Sequence, residues 1–214
     1  MSHMPPIRGL GARIVRKYRR AMAKIVVSEF ISVDGVIEDP GGAEGFSLGG
    51  WTFKFDQGPD GGQFKFDELT AADSLLLGRV TYEAFAAAWP TMDGTGEFGE
   101  RMNSIRKHVV SSDLPDPGWS NTTLLGEDWV ERVSELRAAA GGDLLVLGSA
   151  QLAQGLAEHG LVDEYRLMTF PIVLGAGKRL FAAATAPTEL TLAETRPVGD
   201  DGVVVLTYAA KRDE

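Results

Sequence analysis

The chain contains no cysteine, which excludes a disulfide framework, an iron–sulfur cluster, a thiolate zinc site and a cysteine nucleophile. Histidine is almost as scarce: His3, His108 and His159 lie far apart and make neither a His-rich metal site nor a recognisable triad. No apolar run approaches the ~20 residues a membrane-spanning helix needs. The GxSxG elbow, the HExxH helix and a zinc deaminase His/Cys signature are also missing. What is present is a chain of 214 residues, 44% hydrophobic and 24% charged. That is the length of one domain, with enough apolar material for a core and too much for disorder.

Charge divides unevenly along the chain. Residues 1–23 hold six basic residues (Arg8, Arg13, Arg16, Lys17, Arg19, Arg20) and no acid, so the rest carries the other 15 of 21 against all 30 acidic residues. Such a body repels a phosphate backbone, which argues against a nucleic-acid partner. The opening Met-Ser-His-Met reads as a cloning remnant and Met22 as the natural start. Residues 1–21 are therefore expected to be a basic extension, disordered or left over from cloning, and 22–214 a single domain. With neither an export core nor a serine-rich transit segment in that extension, a cytoplasmic protein without membrane attachment is expected.

Residues 23–33 (AKIVVSEFISV) read as a central strand buried on both faces. The stretch 39–62 is rich in Gly, Pro and Asp yet carries Phe46, Trp51, Phe53 and Phe55; these rings either cover a ligand or cap the core. A short helix is expected over 63–72, a strand over 74–78, a helix over 79–88 stopped by Trp89-Pro90, and another short helix within 91–105. Strands follow at 107–111 and 122–125. In 127–140 Trp129, Val133, Leu136 and Ala140 recur at helical spacing and mark a face that packs on a sheet. A strand at 143–147, a helix at 150–159 ended by Gly160, and strands at 163–173, 189–196 and 203–209 complete the order, the last two joined by a hairpin turn across 197–202. The pattern is an α/β fold: a mostly parallel mixed sheet of about eight strands with an antiparallel C-terminal edge and helices on both faces.

Two strand-to-helix junctions carry glycine and small polar residues, Gly78-Arg79-Val80-Thr81 and Gly148-Ser149-Ala150-Gln151. In open α/β sheets ligands lie beyond the carboxyl ends of the strands, where free N–H groups of a helix N-terminus hold anions. Arg79 adds a guanidinium and Thr81 a hydroxyl. The plain alternative is that Arg79 pairs with a surface acid and Ser149 caps its helix. Neither junction is a Walker loop or contains the GxGxxG fingerprint. Ser111-Ser112 adds hydroxyl donors at a third strand end. A chain without metal ligands, cysteines or a nucleophile motif, but with such junctions, suits a nucleotide cofactor that brings its own chemistry.

The segments SVDG (Ser32 to Gly35), LLLGRVTYEAF (Leu75 to Phe85), VVSS (Val109 to Ser112), LLVLGSAQLAQGLAEHGLVDEYRL (Leu144 to Leu167) and PIVLGAGKRLF (Pro171 to Phe181) resemble the dihydrofolate reductase-like superfamily. Within it they are most similar to the branch of the C-terminal reductase domain of riboflavin biosynthesis. The resemblance implies a three-layer reductase fold, NADPH as hydride donor, a small heterocyclic (pterin- or pyrimidine-like) or carbonyl substrate, and a homodimer. It places Gly78, Arg79 and Thr81 at the cofactor phosphates and Ser111 and Ser112 near the adenosine 2′-phosphate. Gly148, Ser149, Ala150, Gln151 and Leu152 fall along the pyrophosphate and nicotinamide-ribose side, and PIVLGAGKRLF shapes the substrate end of the cleft or an interface.

Asp34, Phe66 and Asp67 are the candidate substrate-pocket residues, with Asp34 and Asp67 the candidate proton donors beside water. Two positions depart from the relatives. The substrate-binding acid of dihydrofolate reductases falls near Gly62, with Asp60 and Asp67 offset, and Leu147 stands where a glutamate precedes the second junction in riboflavin-pathway reductases. These departures leave a second reading open: a nucleotide- or ligand-binding protein that kept the fold without turnover.

Overall fold

The computed structural model describes residues 23–114, 117–181 and 187–211; the basic extension expected over 1–21 lies outside them. The described chain runs β1 (Ile25–Ser32), a 3-10 turn (Trp51–Lys54), α1 (Gly58–Ala71), β2 (Ser74–Gly78), α2 (Arg79–Ala88), α3 (Gly96–Ser104), β3 (Arg106–Val110), β4 (Thr122–Leu125), α4 (Trp129–Ala139), β5 (Leu144–Leu147), α5 (Ala150–Glu158), β6 (Glu164–Phe170), β7 (Leu190–Val198) and β8 (Val203–Ala210). The strands form one eight-stranded sheet in the order β4-β3-β2-β5-β1-β6-β8-β7. The pairings from β4 to β6 are parallel, and β8 and β7 close the edge antiparallel.

The alternation of side chains along the strands decides which helix covers which face. Val26, Leu75, Leu77 and Leu145 pack with Leu69 of α1, Tyr82 of α2 and Met102 of α3. Ile25, Val27, Leu76 and Val146 pack with Val133 of α4 and Leu152 and Leu156 of α5. Trp129, Leu136 and Ala140 join this second cluster, so the face read from their spacing does cover the sheet. Helices α1 to α3 thus lie on one face and α4 and α5 on the other. The helices that follow β2 and β5, which are neighbours, leave toward opposite faces and open a crevice between them.

Boundaries other than those of α1 and β6 fall within two residues of the expectations, and three of the differences have local reasons. Helix α1 begins at Gly58, five residues early, because Pro59 occupies its first turn and Asp60 favours the N-terminal end, although Gly58, Gly61 and Gly62 make the stretch read as a loop. Strand β6 stops at Phe170 because Pro171 has no N–H to continue the ladder, and the Ile172 N–H turns back to the Phe170 carbonyl at 2.8 Å. Strand β7 runs on through Pro197 to Val198, shortening the hairpin turn.

The aromatic stretch mainly caps the core. Trp51 is fully buried, sits edge-on to Phe170 at 5.3 Å, and donates its indole N–H to the Glu38 carbonyl at 2.9 Å; Phe55 joins the same cluster, whereas Phe53 faces solvent. One buried cation needs its own account. Lys107 on β3 has no exposed surface, and its ammonium donates to the carbonyls of Asn103, Ile105 and Ser120 at 3.1, 2.9 and 3.2 Å, with its charge 4.0 Å from the Trp119 ring centre. Burial lowers its pKa to about 8, while the carbonyls and the ring compensate the lost water.

Candidate functional site

Sheet order alone brings three of the expected segments side by side. In register, Gly78 at the end of β2 pairs with Val110 of β3, and Leu76 pairs with Val146 of β5. Ser111, Gly78 and Gly148 therefore stand in a row at the carboxyl edge. The two glycine junctions are also tied directly to each other. Ser149 Oγ accepts from the Gly78 N–H at 2.7 Å and donates to Thr81 Oγ1 at 2.8 Å. This spends the Ser149 hydroxyl on the cradle itself and leaves the Thr81 proton available. Gly148 and Ser149 both adopt left-handed backbone, at φ +63° and +66°. A side chain at Gly148 would come within 3.0 Å of the Thr81 methyl, so glycine is required there by both conformation and space.

Arg79 opens α2 and its guanidinium reaches Glu83 at 3.0 Å, an exposed i,i+4 pair that solvent screens and an incoming anion can displace. Ala150, Gln151 and Leu152 form the first turn of α5, with Leu152 buried in the core below. Ser111 Oγ accepts from the backbone N–H groups of Asp113 and Leu114, and Ser112 Oγ donates to Asp113 at 3.1 Å.

The three expected pocket residues do not converge. Asp34 accepts from Ser32 Oγ at 2.7 Å and from the N–H groups of Leu174 and Gly175 at 3.1 and 2.9 Å, and it also meets Arg179. These bonds, that from Ser32 first, lower its pKa to about 2. Asp34 is thus a clamp that fastens the turn after β1 to the segment 171–181, where Val36 also bridges Arg179; an acid this strong holds no proton to donate near neutrality. Asp67 is exposed, accepts from Gln63 Nε2 at 2.7 Å, and lines a hollow of about 310 Å³ with Glu68, Arg166, Glu194 and Arg196, beneath α1 at the antiparallel end of the sheet. Phe66 turns toward α3, its ring 6.4 Å from that of Phe98.

The structure supplies instead a carboxyl that the reading of the sequence passed over. Glu29 interrupts the apolar run of β1, and that interruption is the signal that marks it. Pairing of β1 with β5 ends at Ser28 and Leu147, so Glu29 is the first residue beyond the ladder, where β5 turns away at Gly148. The residue is 5% exposed, and Oε1 is buried with no hydrogen-bond partner among the described residues. Burial, opposed by the Lys65 charge and the Gly148 N–H, raises the Glu29 pKa to about 8.

The eight-stranded, mostly parallel sheet with its antiparallel edge and helices on both faces is a reductase-like α/β fold. Residues 23–204 match the family model of the RibD C-terminal domain, and the chain belongs to that family. It is 28% identical over 188 residues to the uncharacterized protein YyaP of Bacillus subtilis, across 86% of this chain and 94% of that one. A proposed riboflavin biosynthesis protein of Shewanella sp. PV-4 superposes with a TM-score of 0.68 at 23% identity, covering 88% of this chain and 99% of the other. The dihydrofolate reductase of Enterococcus faecalis, solved with NADP(H), superposes with a TM-score of 0.57 at 15% identity, covering 88% and 97%. These last two likenesses are likenesses of fold.

Proposed function

We propose that the chain is an NADPH-dependent reductase that transfers hydride to a small heterocyclic compound of pterin or pyrimidine type, or to a carbonyl compound. The cytoplasmic, homodimeric state expected from the sequence belongs to the same proposal. The observation that carries it is the row of Ser111, Gly78 and Gly148 at one sheet edge, cross-linked through Ser149 and Thr81. The family, and the nicotinamide dinucleotide held by the E. faecalis neighbour, support the same reading.

The residues present fit such a group: the close approach at Gly148 leaves backbone rather than side chain facing the crevice, and the first turns of α2 and α5 direct unspent N–H groups toward the same place. In this reading Gly78, Arg79, Thr81, Gly148, Ser149, Ala150 and Gln151 hold the phosphates and ribose, Leu152 anchors the turn from below, and the Arg79 guanidinium, with Ser111 and Ser112, lies toward the 2′-phosphate. The bound cofactor supplies the hydride. The chain's own contribution is a rigid cradle, since orienting the two reactants accounts for much of the barrier reduction in such a reaction.

Titration of the protein with NADPH and with NADH, followed by tryptophan quenching and calorimetry, tests this. The expected result is tight binding of NADPH and weak binding of NADH. Arg79→Ala is expected to weaken NADPH by ~10- to 100-fold, the worth of a charged hydrogen-bonded contact, while NADH changes little. Equal losses would remove Arg79 from the 2′-phosphate, and binding without consumption of NADPH across pterins, pyrimidines, quinones and small carbonyls would favour a binding protein over an enzyme.

A further inference from the structure

A reductase that adds hydride to a carbon–heteroatom double bond also needs a proton, and the two aspartates expected to supply it are engaged elsewhere. Asp34 is a strong acid locked into a turn, and Asp67 is an exposed residue of α1 that lines the hollow beside Arg166 and Arg196. One carboxyl lies at the cradle. Glu29 follows the last β1–β5 pair, where β5 turns away at Gly148, and keeps Oε1 without a partner among the described residues although the residue is 95% buried. A buried acceptor left in this condition is costly, since an unmet polar group of this kind loses its hydration for nothing in return. The cost falls away when the oxygen carries a proton and a ligand accepts it.

We propose that Glu29 is the proton donor of the reaction, giving its Oε1 proton to the nitrogen or oxygen of the substrate bond whose carbon receives hydride. This rests on the reductase reading and sharpens its substrate class to compounds with a reducible C=N or C=O bond. In the step, the π bond of the substrate breaks and its electron pair goes to the heteroatom. The Glu29 O–H bond breaks and a bond from that hydrogen to the heteroatom forms, while the dihydronicotinamide is the two-electron reductant. Glu29 is left as a carboxylate and regains its proton from water.

The surroundings keep the acid undissociated. Desolvation opposes ionisation most strongly, and Glu68 on α1 and Glu44 in the loop before the 3-10 turn oppose it further, while Lys65 on α1 and the Gly148 N–H favour the charged form. The balance leaves the acid at about 8, in the range that serves general acid catalysis near neutrality. The turn that follows β5 beside this group is itself pinned, since Gly148 and Ser149 hold left-handed backbone and Ser149 bonds Thr81.

The test uses the full chain labelled with [δ-13C]glutamate, with the Glu29 signal assigned by its loss in Glu29→Gln. The expected carboxyl stays protonated up to about pH 8 with and without saturating NADP+. Glu29→Gln is expected to bind NADPH within about threefold of the parent by calorimetry and to lose NADPH oxidation by ~100-fold or more, as removal of a positioned acid does. The parent loses activity as pH rises through the Glu29 titration, and the variant's residual activity lacks that limb. A Glu29 signal titrating at ordinary glutamate pH, or a variant that turns over like the parent, would overturn the proposal while leaving the reductase reading intact. A parent that binds neither nucleotide overturns the reductase reading and this step with it. A parent that binds NADPH but turns over none of the tested compounds overturns the reductase reading in favour of a binding protein, and this step with it.

Discussion

Two buried glutamates flank strand β1, and their surroundings are opposite. Glu68 of α1 is 4% exposed and fully engaged: both carboxylate oxygens accept from Ser28 Oγ, at 2.7 and 2.9 Å, Lys65 pairs with it, and Arg166 lies 3.9 Å away. Glu29, the next residue along β1 from Ser28 and therefore on the other face, is equally buried, but its Oε1 has no partner among the described residues. Glu68 neutralises its own burial within the fold and serves to fasten α1 to the sheet. Glu29 Oε1 has no such compensation among the described residues. Equal burial of like groups therefore does not imply a like role; what differs is whether the chain itself completes the hydrogen bonds.

The comparison breaks most visibly through stability. Glu68→Ala leaves Lys65 and Ser28 facing an apolar gap, and unfolding in urea is expected to show a loss of about 3–5 kcal/mol, the cost of stranding one partner of a buried pair. Glu29→Gln is expected to do the reverse at alkaline pH. Because the folded pKa of Glu29 lies above its unfolded value, the folded state binds more protons between about 4.5 and 8, and stability of the parent falls as pH rises through that window. The neutral amide does not have this loss, so the variant should match the parent near pH 4.5 and exceed it at pH 9 by an amount on the order of a few kcal/mol. A Glu29→Gln protein whose midpoint followed the parent's at every pH would mean that Glu29 ionises freely, and the contrast with Glu68 would vanish. The smallest expected effect belongs to Asp67→Asn. Its exposed carboxylate accepts only from Gln63 in the described contacts, so stability should move by less than ~0.5 kcal/mol and NADPH oxidation should not change. A large loss of turnover there would transfer the site to the hollow beside Arg166.

The outcome at particular residues explains what could be read in advance. Leu75, Leu76 and Leu77 announce a strand buried on both faces, and Trp129, Val133 and Leu136 announce a one-sided helix, because burial imposes a period on the sequence wherever an element packs. The junctions at Gly78 and Gly148 were visible because a strand ending in glycine before a helix is a local pattern. Helix α1 was shortened in the reading because Gly58, Gly61 and Gly62 favour a turn locally, and packing of Leu69 and Glu68 against the sheet overrides that preference. Asp34 and Asp67 looked alike as acids near expected sites; only their partners separate a turn clamp from a solvated side chain.

The sequence by itself determined the order of strands and helices and the family, since both are written in local periodicity and in contiguous motifs. Only the tertiary structure decided that Gly78 and Gly148 form one cradle and that the carboxyl beside it is Glu29. The residues that meet there are dozens of positions apart in the chain, and the ionisation of a carboxyl depends on which dipoles, charges and water surround it after the strands have paired.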